Sequence, residues 1–261
     1  MRPLPFPLTH LLASLALALL PATQSLAAAC QAQSGTHRAA LVQLFTSEGC
    51  SDCPPADTRL NALNTTTDAR MGPIVPLAFH VNYWDDQGWR DLFADPAYGE
   101  MQEWMVHATG GRVVYTPHFF INGTPLLDWR SRLDALMSQN TSQNAPAGLY
   151  VSATPQPGNL LAVSVKAAGL KPDAGLQLRV AVAESGLVSH VIAGENSGAT
   201  LTHAHVVRAM SPALPIHVDG AVQTTLAVPA STGKQVRVVA WLQNPQTAEV
   251  IQAVSTADCP R

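Results

Sequence analysis

Ala40-Leu-Val-Gln-Leu-Phe-Thr-Ser-Glu-Gly-Cys-Ser-Asp-Cys-Pro-Pro-Ala-Asp-Thr-Arg-Leu-Asn-Ala-Leu63 is the stretch that decides the fold. Its apolar opening, 40–46, predicts a strand. Residues 54–64 predict a helix that starts on Pro54 and Pro55, in the first turn, where several backbone N–H groups lack partners anyway. Between the two lies Cys50-Ser51-Asp52-Cys53, a pair of thiols at a spacing that can close into a disulfide and open again. The following helix N-terminus offers unpaired N–H groups and a partial positive charge, which favour a thiolate on Cys50. A bare CxxC is a weak signal; at a strand–helix junction it is a strong one.

Outward from this junction the chain alternates element types. Ile74-Val-Pro-Leu-Ala-Phe-His-Val81 predicts the next strand. An aromatic loop with Tyr83, Trp84 and Trp89 follows. A helix is predicted over 96–108, with Pro96 in its first turn and Gly110-Gly111 ending it. His118–Ile121 and Thr124–Leu127 flank Asn122-Gly123, a two-residue hairpin signal, and 128–137 predicts a third helix. Strands alternating with helices imply a central sheet covered by helices. The polar stretch 138–146 reads as a linker and sets a domain boundary at 145/146. Beyond it the period changes to two, over 160–166, 177–183 and 235–243, which suggests an antiparallel β-sandwich.

The chain has 261 residues and a formal net charge of −3, enough for one or two domains and without the basic footprint of a nucleic-acid binder. Residues 1–29 read as an export signal: Arg2, the apolar centre Leu11–Leu20 and the small residues Ala27-Ala28-Ala29. That centre is shorter than the roughly 20 residues a membrane span needs, and no later segment is long or apolar enough. The expected location is therefore the periplasm or the exterior. Cys30 admits two readings, a lipidated N-terminus after cleavage or one half of a structural disulfide with Cys259. The second reading rests on the frequent proximity of chain termini and on the persistence of disulfides in exported proteins.

The strand–CxxC–helix–strand order and Tyr115-Thr116-Pro117 together resemble the thioredoxin superfamily. That resemblance implies a cis Pro117 packed against the CxxC and Thr116 in contact with substrate. It also implies Cys50 as the more exposed, attacking thiol and Cys53 as the resolving one. More specifically, Leu44–Asp57, Phe79-His-Val-Asn-Tyr-Trp-Asp85 with Gly88-Trp89, and Val114-Tyr-Thr-Pro117 resemble a secreted bacterial family, domain of unknown function 1223. Gly194-Glu-Asn-Ser-Gly198, Leu201-Thr-His203 and Val206-Val-Arg208 extend the likeness into the second half. This resemblance covers most of the chain and implies a thioredoxin-like domain at 30–145 followed by a β-sandwich-like domain at 146–261. It brings no established substrate.

The chemistry expected is thiol–disulfide exchange with exported protein thiols or a redox partner, carried by Cys50 and Cys53 without a cofactor. Asp52 works against thiolate formation through like charge, and Glu48 adds to this. Trp84, in the aromatic loop, is either part of a peptide-binding lip or part of a lid over the core. Two other readings stand beside this one. In the first, the thiolates and an imidazole, from His118 or His80, hold Cu(I) or Zn(II). In the second, the CxxC disulfide is structural and the protein is a binding module. His203 and His205, two apart, read as a polar stripe on a strand ahead of a metal pair.

Overall fold

The computed structural model describes residues 30–63, 72–171, 175–216, 221–230 and 233–259; the expected export signal, 1–29, lies outside them. Its elements, in chain order, are β1 (Cys30–Gln33), β2 (Ala40–Thr46), α1 (Pro54–Asn61), β3 (Ile74–His80), α2 (Pro96–Ala108), β4 (His118–Ile121), β5 (Thr124–Leu126) and α3 (Trp129–Thr141). There follow β6 (Gly148–Gln156), β7 (Leu160–Ala168), β8 (Gln177–Ser185), β9 (Leu187–His190), β10 (Thr200–His203), β11 (Val206–Met210), β12 (Leu214–Pro215), β13 (Ala221–Ala227), β14 (Gln235–Gln243) and β15 (Val250–Ser255).

One sheet organises the molecule. Its order is β15-β14-β8-β11-β3-β2-β4-β5, with β12 added beside β8, so it runs without a break from the first half of the chain into the second. The joint is β11, parallel to β3 and antiparallel to β8. A second, four-stranded sheet has the order β1-β6-β7-β13, and β9 and β10 form a separate hairpin.

Side-chain alternation explains how three cores form around one sheet. On β2, Ala40, Val42 and Leu44 face α1 and α3, meeting Leu60, Leu133 and Met137, whereas Leu41 and Phe45 face α2, meeting Met101 and Met105. On β8, Ala181 and Ala183 share the α2 face, while Leu178, Val180 and Val182 turn toward the second sheet and meet Leu149, Val151 and Val163. The large sheet is thus covered on one face by α2, and on the other by α1 and α3 at one end and the small sheet at the other. Period-two strands 160–168, 177–185 and 235–243 pack here as a sandwich, as their alternation implies.

The Asn-Gly turn locks three of these parts. Asn122 and Gly123 both have positive φ, 46° and 84°, as the two-residue hairpin requires. Asn122 accepts from the Leu41 N–H at 2.8 Å through Oδ1 and donates to the Ala39 carbonyl at 2.9 Å through Nδ2. A Cβ on Gly123 would lie 1.9 Å from the Ala248 carbonyl oxygen, so only glycine fits against the β14–β15 connection. At the termini, Cys30 and Cys259 are joined in a disulfide across 229 residues, embedded in the core between the sheets.

Candidate functional site

The CxxC loop sits where β2 gives way to α1. Cys53 is the N-cap of α1, and its carbonyl accepts from the N–H groups of Ala56 and Asp57, at 2.9 and 3.0 Å. Cys50 and Cys53 are joined in a disulfide. Both are buried, at 1% and 0% exposure, so the Cys50 expected to be the more exposed thiol is hardly more open than Cys53, while Ser51 and Asp52 between them face solvent.

Two segments of the first half flank this loop. The aromatic loop approaches Gly49, where a Cβ would meet the Trp84 Cβ at 3.1 Å. Trp84, half-buried, donates from Nε1 to the Thr116 hydroxyl at 2.8 Å. The Thr116–Pro117 peptide is cis. Tyr83 Oη donates to Gln102, whose Nε2 in turn donates to the Tyr115 carbonyl at 2.7 Å, so the aromatic loop and the Thr116-Pro117 segment are fixed to α2 together. Trp84 therefore stands between the CxxC loop and Thr116, with its indole N–H satisfied as a half-buried tryptophan requires.

Beneath the loop lies a cluster that the sequence did not announce. Glu48, Asp57, His80, Asp91 and His203 are all buried. Asp91 Oδ2 takes hydrogen bonds from the Glu48 backbone N–H at 2.8 Å and from His80 Nδ1 at 2.7 Å, and its Oδ1 accepts from the Phe93 N–H. Glu48 Oε2 accepts from Trp89 Nε1 at 2.8 Å, and Oε1 lies 3.0 Å from His203 Nε2. The His80 and His203 rings pack edge to face, 5.1 Å apart, and both touch Phe93.

The electrostatics follow from this packing. Burial opposes a charged His80, but Asp91 outweighs it, through charge and hydrogen bond, and holds the imidazole above its usual range. Burial likewise works against the Asp91 carboxylate, yet His80 and the donated hydrogen bonds bring it below the usual carboxylate range. Asp57, four residues after Cys53 and so on the same face of α1, is pushed up to about 6 by burial, against the opposing influence of His80.

Register separates residues the sequence had grouped. Thr46 pairs with His80, on the α1 face of the sheet, whereas Phe45 pairs with His118, on the α2 face. His80 and His118 therefore point to opposite sides, and a metal site built from Cys50, Cys53, His118 and His80 is not assembled. Among the described residues, no three His, Cys, Asp or Glu side chains are arranged to hold a metal ion. His118 instead stacks on Tyr115, with ring centroids 4.2 Å apart, and packs tilted against Phe120 at 4.3 Å, and burial pushes it down to about 4. The reading of His203 and His205 as a stripe is also corrected. His205 has φ +61°, which ends the extended run and leaves His203 alone turned into the buried cluster.

The second half contributes one more contact, from the β9–β10 connection, residues 191–199. Asn196 Nδ2 donates to the carbonyls of Glu48 and Cys50 at 2.8 and 2.9 Å, and Glu195 Oε2 accepts from the Ser51 N–H at 3.0 Å. The only hint of this in the sequence is Gly194-Glu-Asn-Ser-Gly198, two glycines framing polar side chains.

Two solved structures share this arrangement of elements at low sequence identity. The protein AGR_C_4864 from Agrobacterium tumefaciens is 24% identical, with a TM-score of 0.56 over 84% of this chain and 93% of that one. HBP35 of Porphyromonas gingivalis is 17% identical, with a TM-score of 0.62 over 85% of this chain and 76% of that one. No curated protein matches the sequence. The family described as protein of unknown function (DUF1223) matches residues 41–243, most of the chain, and the protein belongs to that family.

Proposed function

We propose that the protein is a thiol–disulfide exchange protein of the thioredoxin-like type, working on exported protein thiols or a redox partner in the periplasm or outside the cell. The observation that carries this reading is the placement of the Cys50–Cys53 disulfide at the N-terminus of α1, with Trp84 joining the loop to Thr116 and Pro117. The β2–α1–β3 order and the β4–β5 hairpin after Pro117 support the thioredoxin-like assignment of residues 30–145, with the β-rich remainder, 146–261, attached to it. Two disulfides are in keeping with an oxidising compartment.

From the closed pair, a substrate thiolate attacks Cys50 Sγ, the Cys50–Cys53 bond breaks, and Cys53 leaves as a thiolate that takes up a proton. A second thiolate of the substrate then attacks the substrate sulfur of the mixed disulfide, forming the substrate disulfide and releasing Cys50 as a thiolate that takes up a proton. The substrate dithiol is oxidised to a disulfide and the CxxC is reduced by two electrons; the reverse sequence reduces a substrate. The residues in contact with substrate are Thr116, Pro117 and Trp84.

Equilibration of the protein in glutathione buffers, with alkylation and mass analysis of Cys50 and Cys53, tests the reading. Reversible conversion that Cys50→Ser abolishes is the expected result; a pair that never reduces across the physiological range would sink it. The burial of both cysteines favours a second reading, in which the disulfide is structural. Under that reading Cys50→Ser lowers stability and alters nothing else.

A further inference from the structure

Cys50 is buried, and the backbone on either side of its sulfur is held by a loop from the far half of the chain. Residues 191–199 form a loop closed at its neck by the Val191 N–H on the Ala199 carbonyl and the Gly198 N–H on the Val191 carbonyl, at 2.9 and 2.8 Å. Gly194 and Gly198 carry φ values of +74° and +87°. Ile192, Gly194, Glu195, Ser197 and Gly198 are exposed, and the loop's base is the separate β9–β10 hairpin. A segment with its own internal hydrogen bonds and little buried apolar surface belongs to the low-stability end of a fold and opens locally at small cost.

Its hydrogen bonds with the CxxC loop fall mainly on backbone groups, the Glu195 carboxylate also reaching the Ser51 side chain. Asn196 donates to the Glu48 and Cys50 carbonyls, and Glu195 accepts from the Ser51 N–H. These are two acceptors and one donor that an extended polypeptide, with its own N–H and C=O groups, can satisfy equally well. The side chains of 195 and 196 hold the place of a peptide backbone beside Cys50.

We propose that residues 191–199 are an autoinhibitory strap: closed, they seal Cys50, and a substrate polypeptide displaces them by taking over their hydrogen bonds to Glu48, Cys50 and Ser51. This rests on the exchange reading of the site and assigns its substrate class as extended polypeptide. A small thiol that makes no backbone hydrogen bonds has to await spontaneous opening.

The test compares the wild type with Glu195→Ala, Asn196→Ala and Asn196→Asp. Glu195 is exposed, so its variant leaves folding intact. Reduction of each disulfide by dithiothreitol is followed by alkylation and mass, and exchange of the Ser51 amide by deuterium uptake. Loss of the Asn196 donors should speed reduction of Cys50–Cys53 about tenfold, and loss of the Glu195 acceptor about threefold. Asn196→Asp, which sets a carboxylate against two carbonyl oxygens, should exceed both. Ser51 amide exchange should rise in step, with Cys30–Cys259 reduction unchanged as the folding control. Faster Ser51 exchange with Cys50–Cys53 reduction within twofold of wild type would overturn the strap. So would a pair that resists dithiothreitol in every variant. A pair that reduces faster in the variants yet never exchanges with a cysteine peptide leaves residues 191–199 as a cover of the disulfide but removes the exchange reading and the polypeptide substrate with it.

Discussion

The two disulfides sit in opposite surroundings. Cys30–Cys259 lies in an apolar core, among residues such as Leu149, Val163 and Val238, and closes a loop of 229 residues. Cys50–Cys53 spans three residues and roofs a cluster of buried carboxylates and imidazoles. A long loop removes much chain entropy from the unfolded state, whereas a short one removes little. The first bond is therefore placed to hold the molecule together. The second rests on buried titratable groups and, under the exchange reading, is the bond that opens and closes.

The sharpest way to break the contrast is to delete each bond. Cys30→Ser with Cys259→Ser should cost about 5 kcal/mol by the loop-entropy relation, measured as the urea midpoint; a loss no greater than that of the CxxC double variant would erase the distinction. Next in size is His203→Ala. It strips the buried Glu48 of its imidazole partner, 3.0 Å away, and should cost about 3 kcal/mol, with no effect on the reduction of Cys30–Cys259.

Asp57→Asn tests whether the second region alone is pH-sensitive. Asp57 has a folded pKa raised from 3.8 to about 6, so its neutral form stabilises the fold. That contribution is complete below the unfolded value and is lost as pH rises through the folded one. Relative to wild type, the variant should gain roughly 2–3 kcal/mol between pH 4 and pH 7, read from urea midpoints at both; a difference that stays flat or falls would remove Asp57 from the account. The smallest change is expected from Cys50→Ser with Cys53→Ser, about 2 kcal/mol by the same loop relation. A larger loss would mark this bond too as a structural staple.

Much of the fold was legible because it is locally encoded. The run 40–46, the prolines opening α1 and α2, the Asn-Gly turn and the alternating stretches 160–166, 177–183 and 235–243 state their conformations within a few residues. What escaped the sequence is pairing between distant segments. Nothing near Val206 says that β11 docks beside β3, so the sheet that crosses residue 145 could not be read. The candidate site divides in the same way. Cys50, Cys53, Trp84, Thr116 and Pro117 lie in local motifs, whereas His203 and Asn196 acquire their roles only from partners more than 100 residues away. Histidines 80 and 118 were grouped because strand register, which puts them on opposite faces, is invisible until β2 is placed between β3 and β4.

The parallel docking of β11 against β3 also dictates an order of events in time. During synthesis, residues 40–126 emerge first but carry an open sheet edge at β3 until residues 206–210 follow. Closing so long a loop before any contact rewards it makes such pairing slow. The CxxC is thus chemically complete early in the life of the chain, and its cover, on residues 191–199, arrives only with the last third. If 191–199 are the strap proposed above, a new chain passes through an interval in which Cys50 and Cys53 are open to oxidation, and completion of the sheet ends it.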